Sequence, residues 1–400
     1  MTKILFAFVL TVAAFYPSLA FSQGQGMLYY RPYGLTYSNA VREKTVAAAC
    51  DPVIVRPNSA ANEEQARLTE LMSSFLGPTP VPPGMATPPP SVEDLDVAKG
   101  IFDRWSDLSC VMSDEKPRIQ MMEEAVIESF GFGPMKEVRP IPENVAQRQI
   151  EAIRQRYPGS PFAVLVEAYY LNAVAWDARG GGFNYSVTPE GRKIFDENIE
   201  KEIALLQANK AAAANNPDYY HALIAAIGSS EGYSPQLVQA FKEGAARYKF
   251  YSQIYFQTLA YTDQKWGGSP EAMDELIRWS TDNTRREIGD WMYARLYGYV
   301  AVYLSPEESI FSNTKASWPL IRKGYTDHLD QASRPDHYMY GVSSDVQFNL
   351  LVRFSCEAAD KKTFLTYRPR IDGHVLTGDW QGPLSLPVCD EKFKYRTPKA

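Results

Sequence analysis

The sequence predicts an all-α fold whose core is a stack of paired helices, and three observations carry that prediction. Apolar residues recur at spacings of three and four from the Pro140-Ile141-Pro142 break to about residue 370, the period of one helix face. Ser234-Pro235 and Ser269-Pro270 each offer an N-cap hydroxyl followed by a residue suited to the first helical position. The helix pairs they open start 35 residues apart, close to the tetratricopeptide period of about 34. The expected core is therefore a tetratricopeptide-like helical repeat, an α-solenoid, behind an irregular, partly helical N-terminal region. The full tetratricopeptide consensus is absent, so the repeats are expected to be degenerate.

Residues 1–22 read as a secretory signal peptide. Lys3 precedes an apolar run from Ile4 to Phe15, and small residues follow at Ser18, Ala20 and Ser22, the order of a cleavable leader. The run is shorter than the roughly 20 residues a spanning helix needs. No Cys follows that would carry a lipid anchor. A periplasmic protein is expected, with an extracellular one as the alternative. The rest of the 400-residue chain is long enough for one large or two ordinary domains.

Residues 23–140 form the N-terminal region. Up to residue 60 no helical period is visible, and Tyr29, Tyr30, Pro32 and Gly34 suggest an extended, turn-rich lead-in. A helix is expected from about Glu63 to Phe75. The prolines of 78–90 then form a stiff linker, since proline at that density continues neither a helix nor a sheet interior. Ser91 caps a helix whose Leu95, Ile101, Phe102 and Trp105 face inward, and another runs from about Pro117 to Phe130.

Residues 141–370 form the helical-repeat domain. From Pro161 to Ala178 one stripe holds Val164, Ala168, Leu171 and Ala175, and a second holds Leu165, Tyr169 and Trp176. Two buried faces imply neighbours on both sides. Gly180-Gly181-Gly182 ends that helix, and Thr188-Pro189 opens the next. Further helices are expected at about 219–227, 234–248, 251–262, 270 onward, 285–304, 316–332 and 342–358. In the helix over 285–304, Ala294, Gly298 and Ala301 form a small face. Residues 371–400 read as irregular C-terminal cover.

The chain turns on one joint, Gln264 to Glu271. Gly267 and Gly268 break the preceding helix, and at least one is expected to take a positive φ. Ser269 is expected to cap the helix from Pro270. Glu271, Asp274 and Glu275 suit the positive end of that helix, and Met273, Leu276, Ile277 and Ser280 form its buried stripe. Trp266 is expected to wedge between the helix pairs rather than to face a ligand.

Tyr157-Pro158-Gly159-Ser160, Trp176-Asp177-Ala178-Arg179-Gly180-Gly181-Gly182 and Lys265-Trp266-Gly267-Gly268-Ser269 together resemble a bacterial family defined by a domain of unknown function. The likeness covers roughly residues 145 to 300. It implies a tetratricopeptide-like fold and no established activity, so it supplies no catalytic residues.

A formal net charge of −6 and the absence of a basic run argue against nucleic-acid binding and against anionic membranes. The four cysteines, Cys50, Cys110, Cys356 and Cys389, suggest disulfides in an exported chain. Of the three pairings, nearest neighbours are expected, Cys50 with Cys110 and Cys356 with Cys389. His221, His328, His337 and His374 are the only histidines. None has the spacing of a metal motif, so all four are read as surface or capping residues. No phosphate loop and no nucleophile elbow is present, and no motif asks for a cofactor or metal.

The 25 Tyr and 7 Trp are read mainly as packing residues. Arg179, Asp263 and Glu271 are the candidate groove residues. Arg179 either donates to carbonyls at its helix end or pairs with an acid in a groove. The expected function is a protein–protein interaction or scaffold module of the cell envelope, without catalytic residues. The alternative is a glycan-active hydrolase with a helical toroid, which needs two opposed carboxylates in an aromatic groove.

Overall fold

The computed structural model describes residues 39–51, 61–77, 90–112, 116–132, 143–303, 308–331, 344–376, 380 and 385–396. The signal segment 1–22, nearly all of the 78–90 linker, the Pro140-Ile141-Pro142 break and His337 lie outside the described residues. Among the described residues the fold is all-α. There is no strand, only an isolated bridge between Val111 and Pro117. No helix among them is long and apolar enough to cross a membrane. Two compact units divide the chain, one up to Ser230 and one from Glu231, with Asp114–Lys116 counted with the second.

The first unit holds α1 (Asn39–Ala47), α2 (Ala61–Leu76), α3 (Val92–Trp105), α4 (Met122–Ser129), α5 (Glu143–Arg156), α6 (Pro161–Arg179), α7 (Pro189–Ala208), α8 (Lys210–Ala213) and α9 (Pro217–Glu231). Helix α1 is a correction, because it falls in a stretch read as an extended lead-in. The local pattern is too short to show a period, and packing against α3 supplies what propensity does not. Helices α2, α3 and α4 pack together, α4 and α5 lean on α6, and α6 pairs along its length with α7.

Cys50 and Cys110 are joined beside a buried arginine that binds three backbone carbonyls. Arg118 donates from Nη1 to Ala49 O (2.6 Å), from Nη2 to Asp51 O (2.6 Å) and from Nε to Val111 O (3.0 Å). Its Nη2 lies 3.6 Å from Glu64, which balances the buried charge.

The second unit holds α10 (Pro235–Arg247), α11 (Ser252–Ala260), α12 (Pro270–Ile288), α13 (Trp291–Tyr303), α14 (Ile310–Asn313), α15 (Trp318–Gln331), α16 (Ser344–Glu357), α17 (Lys361–Tyr367) and α18 (Leu386–Phe393). Two of these correct the sequence reading. The helix expected over 285–304 is the end of α12 and the whole of α13, split where Gly289 takes a φ of 62°. The apolar period runs through that break and hides it. The C-terminal cover contains α18, which buries Leu386, Cys389 and Phe393.

Neighbouring helices pair, and alternate helices stack. Helices α10 and α11 pack together, α11 also meets α13, and α13 meets α12 and α15. Phe241 of α10 meets the edge of Trp279 of α12 at 5.2 Å. Phe256 of α11 lies flat on Tyr299 of α13 at 4.1 Å. Trp279 therefore occupies the place between helix pairs that was expected for Trp266. His328 corrects a surface assignment: it is buried and stacks on Trp291 at 4.1 Å.

Cys356 and Cys389 join α16 to α18, within an apolar cluster of Val352, Phe364, Ile371, Trp380 and Phe393. Both pairings are those of nearest neighbours. Non-reducing peptide mapping is expected to recover Cys50–Cys110 and Cys356–Cys389 peptides, and a Cys110–Cys356 peptide would contradict this arrangement.

Candidate functional site on the open face of helix α12

Four helices share one start. Ser160, Thr188, Ser234 and Ser269 each accept from the backbone N–H three residues on, at 3.0 to 3.2 Å, and each precedes a proline. At the joint before α12, Gly267 takes the expected positive φ, 80°. Asp263 accepts at its side chain from Lys265 N (2.9 Å), and its carbonyl accepts from Trp266 N (2.9 Å) and Gly268 N (3.1 Å). It is a turn-capping residue. Trp266 is half-buried with its ring edge-on to Tyr261 at 5.3 Å. Its carbonyl accepts from Tyr233 N (2.8 Å), which ties the joint to the start of α10.

Arg179 belongs to the first unit. Its Nη1 donates to the carbonyls of Gly180 (3.1 Å) and Gly182 (3.2 Å), and its guanidinium lies over Trp176 at 5.1 Å. Of the two roles open to it, the structure shows the helix-end donor.

Of the three candidate groove residues, Glu271 lines the concavity on α12. That concavity is a broad depression of about 740 Å³ formed by Glu271, Asp274, Glu275, Arg278, Trp279, Asp282 and Lys315. A small cleft of about 80 Å³ adjoins it and shares Arg278 and Asp282. The acids and arginines recur at three and four along α12, opposite the stripe that buries Leu276, Ile277 and Ser280. Met273, expected in that stripe, is only half-buried.

The face is a lattice of opposed charges. Glu271 meets Lys315 at 3.0 Å. Asp274 takes Arg278 at 2.6 Å and the Tyr297 hydroxyl at 2.8 Å. Asp282 takes Arg285, which also reaches Asp290 at 2.8 Å. The hydrogen bond from Lys315 holds Glu271 below the ordinary carboxylate range. Burial pushes the Asp290 carboxyl up, but hydrogen bonds from Lys323 and Arg285 outweigh it and keep its pKa low. Glu271 and Asp290 thus favour the charged form, which suits polar recognition. It does not suit the protonated acid of a glycosidase.

A second polar cluster lies inside the first unit. Glu123 of α4 and Asp218 of α9 flank His221, whose Nδ1 lies 3.8 and 3.6 Å from their oxygens. Tyr169 donates to Asp218, and Asn172 donates to Glu202 of α7 at 2.9 Å. Glu202 is wholly buried and Asp218 nearly so, and burial pushes both Glu123 and Glu202 up, Glu202 far. His221 is thus half-buried between two acids, its side chain 12% exposed, rather than free at the surface. Only the Asp218-x-x-His221 spacing, which puts both side chains on one helix face, marked it in the sequence. Among the described residues no three His, Cys, Asp or Glu side chains converge to hold a metal ion.

Compared with known proteins, the chain matches no family model, no curated protein and no solved structure.

Proposed function

We propose that this chain is an exported helical-repeat protein of the cell envelope that holds a protein partner on the open face of α12. The observation that carries this reading is the depression itself: wide, open, and lined by acids and bases with one half-buried tryptophan. Such a surface matches a polar macromolecular partner with bases opposite acids, and charge-depleted enclosed pockets suit small molecules better. The aromatic contacts of α10 on α12 and of α11 on α13 support degenerate tetratricopeptide-like stacking, in keeping with the family resemblance. Two disulfides support an oxidising compartment, the periplasm by preference and the extracellular space as the alternative. The hydrolase reading is the weaker one, because Glu271 is held ionised and is paired with Lys315.

The test is photo-crosslinking in the native host. A photoreactive residue at Glu275 or Asp282 is expected to give adducts of one shared mass. The same residue at Lys193, on the first unit, is expected to give none. Adducts that are identical at all three positions, or absent from both α12 positions, would overturn the proposal.

A further inference from the structure

We infer that the loop between α6 and α7 is a docking platform for an anionic oligosaccharide. The loop runs Gly180-Gly181-Gly182-Phe183-Asn184-Tyr185-Ser186. Phe183 is 45% exposed and Tyr185 83%, and their rings stack at 5.6 Å with 8° between planes. Burying such rings would be favourable by about 25 cal/mol per Å² of apolar area. Their exposure therefore needs a loop that is held open.

The loop is held. Arg179 donates to the carbonyls of Gly180 and Gly182, and its guanidinium is clamped over Trp176 and Phe195 at 5.1 and 5.8 Å. Ser186 donates to Phe183 O from both its backbone N–H (2.8 Å) and its hydroxyl (2.7 Å). Arg192 of α7 donates to the Asn184 carbonyl (3.3 Å) and to its side-chain oxygen. A platform fixed before binding loses little entropy when the ligand arrives.

The pins are also the charge. Burial and the nearby Arg192 cation together lower the Arg179 pKa. Neither arginine has a carboxylate partner among the described residues. Two uncompensated guanidinium groups beside two exposed rings, in a chain of net charge −6, call for a ligand that brings its own negative charge. A guanidinium takes carboxylate or phosphate in a forked pair. An exposed ring stacks on a flat face that is weakly polar. An oligosaccharide bearing uronate or phosphate groups has both features. The site lies on the first unit and does not rest on the α12 reading.

The probes are an oligogalacturonate octamer, a phosphorylated oligomannoside and a neutral cello-oligosaccharide, titrated calorimetrically into the chain without residues 1–22. At least one anionic probe is expected to bind, with an affinity that falls as salt rises, and the neutral one to bind far more weakly. Which anionic probe binds tells carboxylate from phosphate. Tyr185→Ala is expected to weaken that binding about tenfold without moving the melting temperature, since its ring is mostly exposed. Arg192→Gln is expected to weaken it and flatten the salt dependence. Any one of four results would overturn the inference. These are no binding of either anionic probe to the folded chain, equal binding of the neutral probe, a Tyr185→Ala variant that binds as the parent does, and displacement by phosphatidylglycerol vesicles.

Discussion

Gly268→Ala is expected to destabilise the second unit by about 3 kcal/mol, the upper end of overpacking, and more than any other change at the joint. A Cβ on Gly268 would lie 2.2 Å from Thr262 O, 2.3 Å from its carbonyl carbon and 2.5 Å from its Cα. These are backbone atoms. They cannot swing aside as a side chain would, and Thr262 is itself wholly buried. Gly267 differs in kind. Its φ is 80°, but open space surrounds the Cβ it would gain. Gly267→Ala therefore meets only the left-handed backbone penalty, about 1 kcal/mol. Trp266→Ala falls between, roughly 2 kcal/mol, because a half-buried ring loses less than the 3 to 5 of a core truncation. Ser269→Ala removes one cap at about 1 kcal/mol. Urea unfolding of the four variants gives the order directly. Equal losses for Gly267→Ala and Gly268→Ala would show that the two backbone segments can part, and that the close approach is not needed.

Glu202→Ala is expected to cost about 3 kcal/mol, while Glu202→Gln stays within about 1 kcal/mol of the parent at neutral pH. Burial pushes the Glu202 carboxyl well above its ordinary pKa, with the Asn172 hydrogen bond opposing the effect and Glu123 adding to it. Its Oε2 accepts from Asn172 and its Oε1 has no hydrogen-bond partner among the described residues. A neutral amide keeps the acceptor and the shape. A methyl group leaves a cavity and orphans the Asn172 donor. The pH dependence follows from the raised folded-state pKa. The stabilisation is complete below the ordinary carboxylate range, and it is lost as pH rises toward the folded value. Glu128, pushed up to about 7 by burial, Glu124 and Glu70, has the same sign and is present in both proteins. The difference between parent and Glu202→Gln therefore removes Glu128 and reports Glu202 with its coupling to Glu123. Glu202→Gln is expected to gain on the parent as pH rises above the ordinary carboxylate range. Parallel pH profiles for the two would refute the raised pKa of the interior acid.

What could be read from the sequence was local. A hydroxyl before a proline decides a helix start within three residues, so the caps at Ser234 and Ser269 were visible without any tertiary information. The same is true of Gly267, whose φ is set by the turn around it. What could not be read depends on what lies across the fold. Trp266 and Trp279 look alike as sequence, yet Phe241 reaches only Trp279. The apolar period ran through Gly289 because a kink between two helices need not disturb the spacing of their buried faces. The polar interior of the first unit escaped notice because Glu123 and Glu202 sit on stripes that read as solvent-facing. Only the packing of α4, α6, α7 and α9 side chains around them turns that charge inward. The depression on α12 was half visible. Glu271 was singled out, but the stripe through Arg278, Asp282 and Arg285 is a face that only its unburied side defines.

The two cystines pair the first cysteine with the second and the third with the fourth, each within one compact unit. A chain threaded N-terminus first into an oxidising space presents its thiols in that same order. An oxidase that joins each arriving thiol to the one still waiting makes both native bonds and no others. If the chain is exported as proposed, its assembly places no demand on disulfide reshuffling, and its oxidation can keep pace with its emergence.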